Sequence, residues 1–224
     1  MRLSSVNTSL VILLLLVLPG VVWFQSTGNL LADLRPGSMP GQVPYLLSKL
    51  LGLYVIIFLW LQVMYGLTRN DHLFSFIPAW SKKRHQLFGI TTSVVIVLHY
   101  ALFVAAVSIR KGTFAYDLLL PDFGDYYHTM LSLGWLAFIM IIAVLFARVA
   151  RKYIKINMIW VHRLAVPALF TGLVHGLMIG SEASMGALIY LYLSLGVMTG
   201  LVVLRRFTMF FSGKSANFIQ GISE

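Results

Sequence analysis

Long apolar runs, set apart by short polar loops, leave this chain few ways to fold. From Leu10 to Leu204 several of them approach the roughly 20 residues needed to cross a hydrocarbon core. Of the 224 residues, 59% are hydrophobic and only 11% charged, far from the charged quarter of a soluble domain. In lipid a backbone must satisfy its own N–H and C=O groups, so each run is expected to be a helix. The fold class that follows is an all-α membrane protein, a six-transmembrane-helix bundle forming one domain over 1–224. Its helices are expected over about 9–24, 44–67, 80–108, 128–147, 158–179 and 183–204. The first run competes with a signal peptide, because LVILLLLVL is short and Pro19-Gly20 follows it. No small-residue cleavage site comes next, and Val21, Val22, Trp23 and Phe24 extend the apolar stretch, which favours an uncleaved helix.

Charge sets the expected orientation. The formal net charge is +10, but the basic residues flank apolar runs, so they read as topology signals and no nucleic-acid partner is expected. The second loop carries Arg69, Lys82, Lys83 and Arg84, and the fourth carries Arg148, Arg151, Lys152 and Lys155. Arg205, Arg206 and Lys214 follow the last run. The alternate loops hold Arg35, Arg110 and Lys111 but most of the acids, Asp33, Asp117, Asp122, Asp125 and Glu182. The positive-inside rule then places both termini in the cytoplasm and makes the third and fifth helices run outward in parallel.

Those two helices carry four of the six histidines. His85 and His99 bound RHQLFGITTSVVIVLH, fourteen positions apart, and His162 and His175 bound HRLAVPALFTGLVH, thirteen apart. At about 1.5 Å per residue the spacings are roughly 21 and 20 Å. Parallel helices of this kind offer two histidine pairs at two membrane depths, His85 with His162 and His99 with His175. Imidazole is a standard axial ligand of haem iron, so two bis-histidine haems fit the pattern. A lone intramembrane histidine reads equally as an interhelical hydrogen bond; two matched pairs do not. No cysteine is present, which excludes disulfides, thiolate metal sites, iron–sulfur clusters and covalent haem attachment. In a regular helix fourteen residues nearly return to one face, whereas thirteen fall more than a right angle away. Pro167 lies between His162 and His175, removes one backbone donor, and is expected to alter the local rotation. His72 and His128 read as interfacial residues.

Haem propionates need cationic partners. Arg84 and Arg163 adjoin the inner histidines, and Arg69, Lys82 and Lys83 lie near the same level, although each serves equally as a topology charge. Arg110 and Lys111 are the outer candidates. Phe170 falls between the two levels, either between the cofactors or in apolar packing. Gly89, Gly172 and Gly176 lie near histidine levels, where small residues admit either a macrocycle or a neighbouring helix.

The pattern RHQLFG followed by LHY, with HR and VH on the fifth helix, resembles the ferric reductase-like transmembrane domain family over about residues 44–206. Ferric-chelate reductases and the membrane part of NADPH oxidases belong to that family. The resemblance implies two b-type haems, the inner on His85 and His162 and the outer on His99 and His175, with electrons flowing from cytoplasm to outside. The haem-binding membrane subunit of the periplasmic methionine sulfoxide reductase system is a similar, shorter cousin, whose pattern lacks a histidine at the position of His85.

Larger members continue into flavin and NADPH domains, whereas this chain has no glycine-rich nucleotide fingerprint. A separate donor is therefore expected, either a cytoplasmic flavoprotein or a membrane quinol. The external acceptor would be a ferric chelate, oxygen or a periplasmic redox partner. The lipid bilayer is the remaining partner, with the bacterial inner membrane as the expected location. Two alternatives stand: a haem-free cation or proton transporter using the histidines, and a haem-bearing assembly subunit that passes no electrons. The charge reading has a direct check. A reporter active only outside the cytoplasm should work when fused after Gly112 and fail when fused after Tyr153; the reverse pattern would invert the topology.

Overall fold

A computed structural model describes residues 5–28, 30–35, 37–68, 82–150, 153, 159–180 and 186–211. Among these residues the fold is all-helical, without strand: α1 (Ser5–Ser26), α2 (Leu30–Asp33), α3 (Gln42–Thr68), α4 (Lys82–Lys111), α5 (Tyr126–Ala150), α6 (Ile159–His162), α7 (Ala165–Ile179) and α8 (Gly186–Phe211). A short 3₁₀ turn, Tyr116–Leu119, interrupts the loop between α4 and α5. Five helical spans are long and apolar enough to cross a membrane: Gln42–Thr68, Lys83–Lys111, Tyr126–Ala147, Trp160–Ile179 and Gly186–Met209. The protein is thus built as an integral membrane protein. The described side chains of α1 cover a shorter apolar stretch, Leu13–Ser26.

α3 is the axis of the bundle. Half of its apolar window is buried, against 17–28% for the other four spans, so the others wrap around it and turn one face to lipid. Ile57, Trp60 and Met64 of α3 meet Leu169 of α7 and Leu188 and Tyr192 of α8 in one core. Lipid tails are as apolar as these side chains, so close packing and interhelical hydrogen bonds, not water exclusion, hold the helices together. Trp60 Nε1 donates to the Leu195 carbonyl at 3.2 Å, and the Tyr192 hydroxyl donates to the Leu53 carbonyl at 3.2 Å. Trp23 Nε1 of α1 donates to the Leu46 carbonyl at 3.0 Å.

These bonds also fix direction. Trp23 meets Leu46, so α1 ends where α3 begins. Tyr126 meets Met178 through its hydroxyl, so α5 begins where α7 ends. That shared end is closed by the loop 112–125. The Tyr100 hydroxyl donates to the Leu118 carbonyl at 2.8 Å and Trp135 Nε1 to the Leu119 carbonyl at 3.0 Å. Ser132 Oγ donates to the Asp122 carbonyl and accepts the Asp122 N–H, at 2.6 and 2.7 Å. The loop is therefore a fixed cap, and its end of the bundle is the capped end. At the opposite end Arg206 of α8 donates to the Leu67 carbonyl, with Nε at 2.6 Å, satisfying one of the orphan acceptors at the terminus of α3.

The expected fifth helix is two pieces. Pro167 has no N–H, so the Arg163 carbonyl loses its usual partner four residues on. It accepts the Val166 N–H at 3.1 Å instead, and Arg163 and Leu164 donate to Trp160 and Val161, also three residues back. The break after His162 is this tightened turn. Thirteen residues of regular helix would leave His175 about 140° short of the His162 face. Each residue wound as 3₁₀ adds about 20°, so the three tightened bonds recover roughly 60°. The proline reshapes the rotation, as its position suggests.

Arg69 lies outside the described residues, as do His72, Arg151, Lys152, Lys155, Glu182 and Lys214. Replacing Arg206 with Leu should lower unfolding stability in detergent by about 1–2 kcal/mol, through loss of the charged bond to Leu67. An unchanged unfolding midpoint would show that the carbonyl is satisfied without it.

Candidate functional site

The histidines at the capped end are held alike. His99 Nδ1 on α4 lies 2.8 Å from the Ser48 carbonyl oxygen of α3, and His175 Nδ1 on α7 lies 2.8 Å from the Met130 carbonyl oxygen of α5. A carbonyl only accepts, so each Nδ1 carries a proton and donates it, and in the neutral ring the lone pair then lies on Nε2. Metal-ligating histidines adopt this arrangement, with the far nitrogen anchored on a backbone oxygen. Ser48 Oγ adds a bond to the His99 carbonyl at 2.9 Å, tying the same two turns together.

Glycine follows each acceptor carbonyl by one helical turn. A Cβ at Gly52 would stand 2.9 Å from His99 Cε1, and one at Gly134 would stand 2.7 Å from both Cε1 and Nδ1 of His175. Any larger residue would push the ring off its acceptor. The two helix pairs share a register here. Tyr45, Ser48 and Gly52 on α3 match Tyr127, Met130 and Gly134 on α5 in spacing, and each set faces a histidine on the following long helix. The bundle thus repeats one device twice.

Both imidazoles line a single cavity beneath the cap, with Tyr100, Phe138, Gly172 and Gly176. Tyr100 and Phe138 stack with centroids 4.8 Å apart and planes 22° apart, giving the cavity a flat aromatic wall. At Gly172 a Cβ would meet Ile56 Cδ1 at 3.3 Å, and at Gly176 it would meet Tyr192 at 3.5 Å, so both glycines pack closely against neighbouring helices.

The second pair meets at the opposite end. The rings of His85 on α4 and His162 on α6 have centroids 6.2 Å apart and planes 88° apart. Two imidazoles sharing one metal, each about 2 Å from it, stand with centroids roughly 6 Å apart. Tyr65 packs against His85 at 4.9 Å, and Gln62 Nε2 donates to the His85 carbonyl at 3.2 Å. His85 and His162 thus stand in ring contact at one end, and His99 and His175 line one cavity at the other. Among the described residues no three histidine or carboxylate groups converge. The donor sets are pairs of imidazoles, which suit an axially ligated macrocycle better than a closed tetrahedral ion site.

The other expected residues lie as follows. Arg84 is exposed beside His85. Arg163 is exposed, with its guanidinium 4.2 Å from the Trp160 ring centroid. Phe170 is half-buried and does not line the cavity. Arg110 stacks on Tyr45 at 4.4 Å and donates to Gln42 Oε1 at 2.9 Å. Lys111 pairs with Asp117 at 2.6 Å, which holds the Asp117 carboxyl below the usual carboxylate range. His128 pairs with Asp125 at 2.6 Å at the exposed start of α5. Sequence reasoning missed Ser48, Gly52, Met130 and Gly134. The glycines were visible, but only the helix pairing shows which carbonyl each histidine reaches.

Replacing Gly52 or Gly134 with Ala should destabilise the bundle by about 1–3 kcal/mol, the usual range for overpacking. Gly66 and Gly200, where a Cβ meets nothing within 4 Å, are the controls and should be neutral or slightly stabilised. Equal midpoints for all four variants in thermal unfolding would contradict the close ring approach. Comparison of the chain with protein-family models, curated proteins and solved structures returned no match.

Proposed function

We propose that the protein carries electrons across a membrane by means of two b-type haems. His85 and His162 hold one, and His99 and His175 hold the other. The observation that carries this reading is the capped-end histidine pair, both rings anchored through Nδ1 on backbone carbonyls and both lining one cavity. Neutral imidazole with a free Nε2 is the form that ligates iron. When bound, haem supplies one-electron iron chemistry that no side chain here offers.

The chain's own contribution is orientation, spacing and exclusion of water. The carbonyls of Ser48 and Met130 stop the rings from rotating. The glycines admit them to the helix interface, and the cap packs over the end of the cavity. Arg84 and Arg163 supply positive charge beside the other pair, and Arg69 is assigned the same role. Phe170 occupies α7 between the two levels. In this reading the bundle crosses the membrane six times, with α1 as a full span, the capped end external and both termini cytoplasmic. The membrane is the bacterial inner membrane. The chain belongs functionally with ferric reductase-like transmembrane proteins. It takes electrons from a separate cytoplasmic flavoprotein or a quinol and delivers them to a ferric chelate, oxygen or a periplasmic redox protein.

The test is made in liposomes. Vesicles holding trapped ferricyanide and the haem-loaded protein should bleach on addition of an impermeant external reductant, faster than vesicles without protein. His99→Ala and His85→Ala should each abolish the difference while leaving haem at the other level. A haem-loaded protein that transfers nothing would support an assembly subunit, and a colourless one that conducts cations would support a transporter.

A further inference from the structure

The loop 112–125 does not rise away from the helices that it joins; it folds back along them. Ser132 Oγ holds both the N–H and the carbonyl of Asp122, at 2.7 and 2.6 Å. A serine side chain is too short for that unless the two backbones lie side by side. Ser132 stands six residues inside α5, about 9 Å from its start. On the α4 side Ser108 Oγ accepts the Ala115 N–H at 3.0 Å, three residues before the helix ends. Tyr100 and Trp135, which bind the Leu118 and Leu119 carbonyls, are rooted deeper still. At about 1.5 Å per residue α4 is roughly 45 Å long and α5 roughly 38 Å, against a hydrocarbon core of about 30 Å. A segment about 9 Å in from the helix end therefore lies where headgroups give way to acyl chains.

Two further features fit that depth. The first is what the segment turns outward. Tyr116 and Leu120 are 72% exposed, Phe123 59% and Phe114 50%, four large apolar side chains within ten positions. They sit on a segment packed against two membrane-spanning helices. The second is how its backbone is satisfied. The Ala115 and Asp122 N–H groups and the Leu118, Leu119 and Asp122 carbonyls all bond to helix side chains. The Tyr116 and Leu118 N–H groups bond within the loop, and Pro121 has none to satisfy. Irregular backbone is tolerated at membrane depth only where protein supplies its partners, whereas in water the solvent does so. The charges are paired too: Asp117 with Lys111 and Asp125 with His128, each at 2.6 Å. Such pairs suit the headgroup boundary and not the hydrocarbon centre.

We infer that the loop 112–125 is an interfacial membrane segment, set in the leaflet at the capped end with Phe114, Tyr116, Leu120 and Phe123 against acyl chains. Interfacial segments sit about 5–10 Å into that boundary, the depth at which Ser132 holds this one. Lipid, not a docking protein, covers the patch. The cavity wall that includes Leu118 and Leu120 thus has the bilayer on its outer side. This needs only the membrane and stands apart from the haem reading.

The chain has no cysteine, so single cysteines can carry a nitroxide label without a background. Leu120→Cys, Phe123→Cys, Thr113→Cys and Val197→Cys are labelled in phosphatidylcholine vesicles. Power-saturation electron paramagnetic resonance then compares relaxation by oxygen, which concentrates in lipid, with relaxation by a water-soluble nickel chelate. Val197, exposed on α8 midway along its apolar span, is the lipid reference. Thr113, just past the end of α4, should favour nickel. Labels at 120 and 123 should both favour oxygen, though less than the label at 197. Nickel-dominated relaxation at 120 and 123, with oxygen still dominant at 197, would place the patch in water as a protein-docking surface. That result would overturn the inference and leave the membrane reading intact. Both test positions are exposed, so neither substitution removes a packing contact that the fold needs.

Discussion

The bond from an imidazole Nδ1–H to a helix carbonyl governs what this bundle can do. A carbonyl inside a regular helix already accepts the N–H four residues on, but it keeps a second lone pair. His99 and His175 use that second site on Ser48 and Met130. The residue four positions on is glycine in both cases, so the ring can lie where a side chain would otherwise stand. An interhelical hydrogen bond in lipid is worth only about 0.6 kcal/mol on average. Its importance is therefore directional more than energetic. It selects one tautomer and fixes each ring on the wall of one cavity.

The rest of the bundle supports that arrangement. α3 provides the Ser48 carbonyl, Gly52 and the central core, which is why it is the most buried of the spans. α5 provides Met130 and Gly134 in the same register. The cap draws its hydrogen bonds from Tyr100, Ser132 and Trp135, side chains on the helices that border the cavity. Pro167 tightens the winding between His162 and His175 and recovers part of the rotation that a spacing of thirteen lacks.

Much of this was legible in the sequence because lipid removes alternatives. Apolar runs of membrane length have to be helices, and Lys/Arg-flanked loops mark their ends. The histidine spacing pointed to His85 and His162, whose rings meet, and to His99 and His175, which line one cavity. The fifth helix was read as continuous, whereas the loss of the Arg163–Pro167 bond divides it into α6 and α7. What stayed hidden depends on helix pairing. Ser48 and Met130 contribute through backbone oxygen, which carries no residue signal at all. Phe170, chosen for its position between the histidine levels, lies away from the cavity.

Spin state and haem count of the oxidised protein test the central claim most directly. Low-temperature electron paramagnetic resonance, with pyridine haemochrome assay on the same sample, reports both. Four neutral imidazoles in two axial pairs predict two low-spin ferric b-type haems per chain, with neither showing a high-spin signal. A preparation matured with ample haem that is colourless, or that holds only high-spin iron open on one face, would contradict the pairing of His85 with His162 and of His99 with His175.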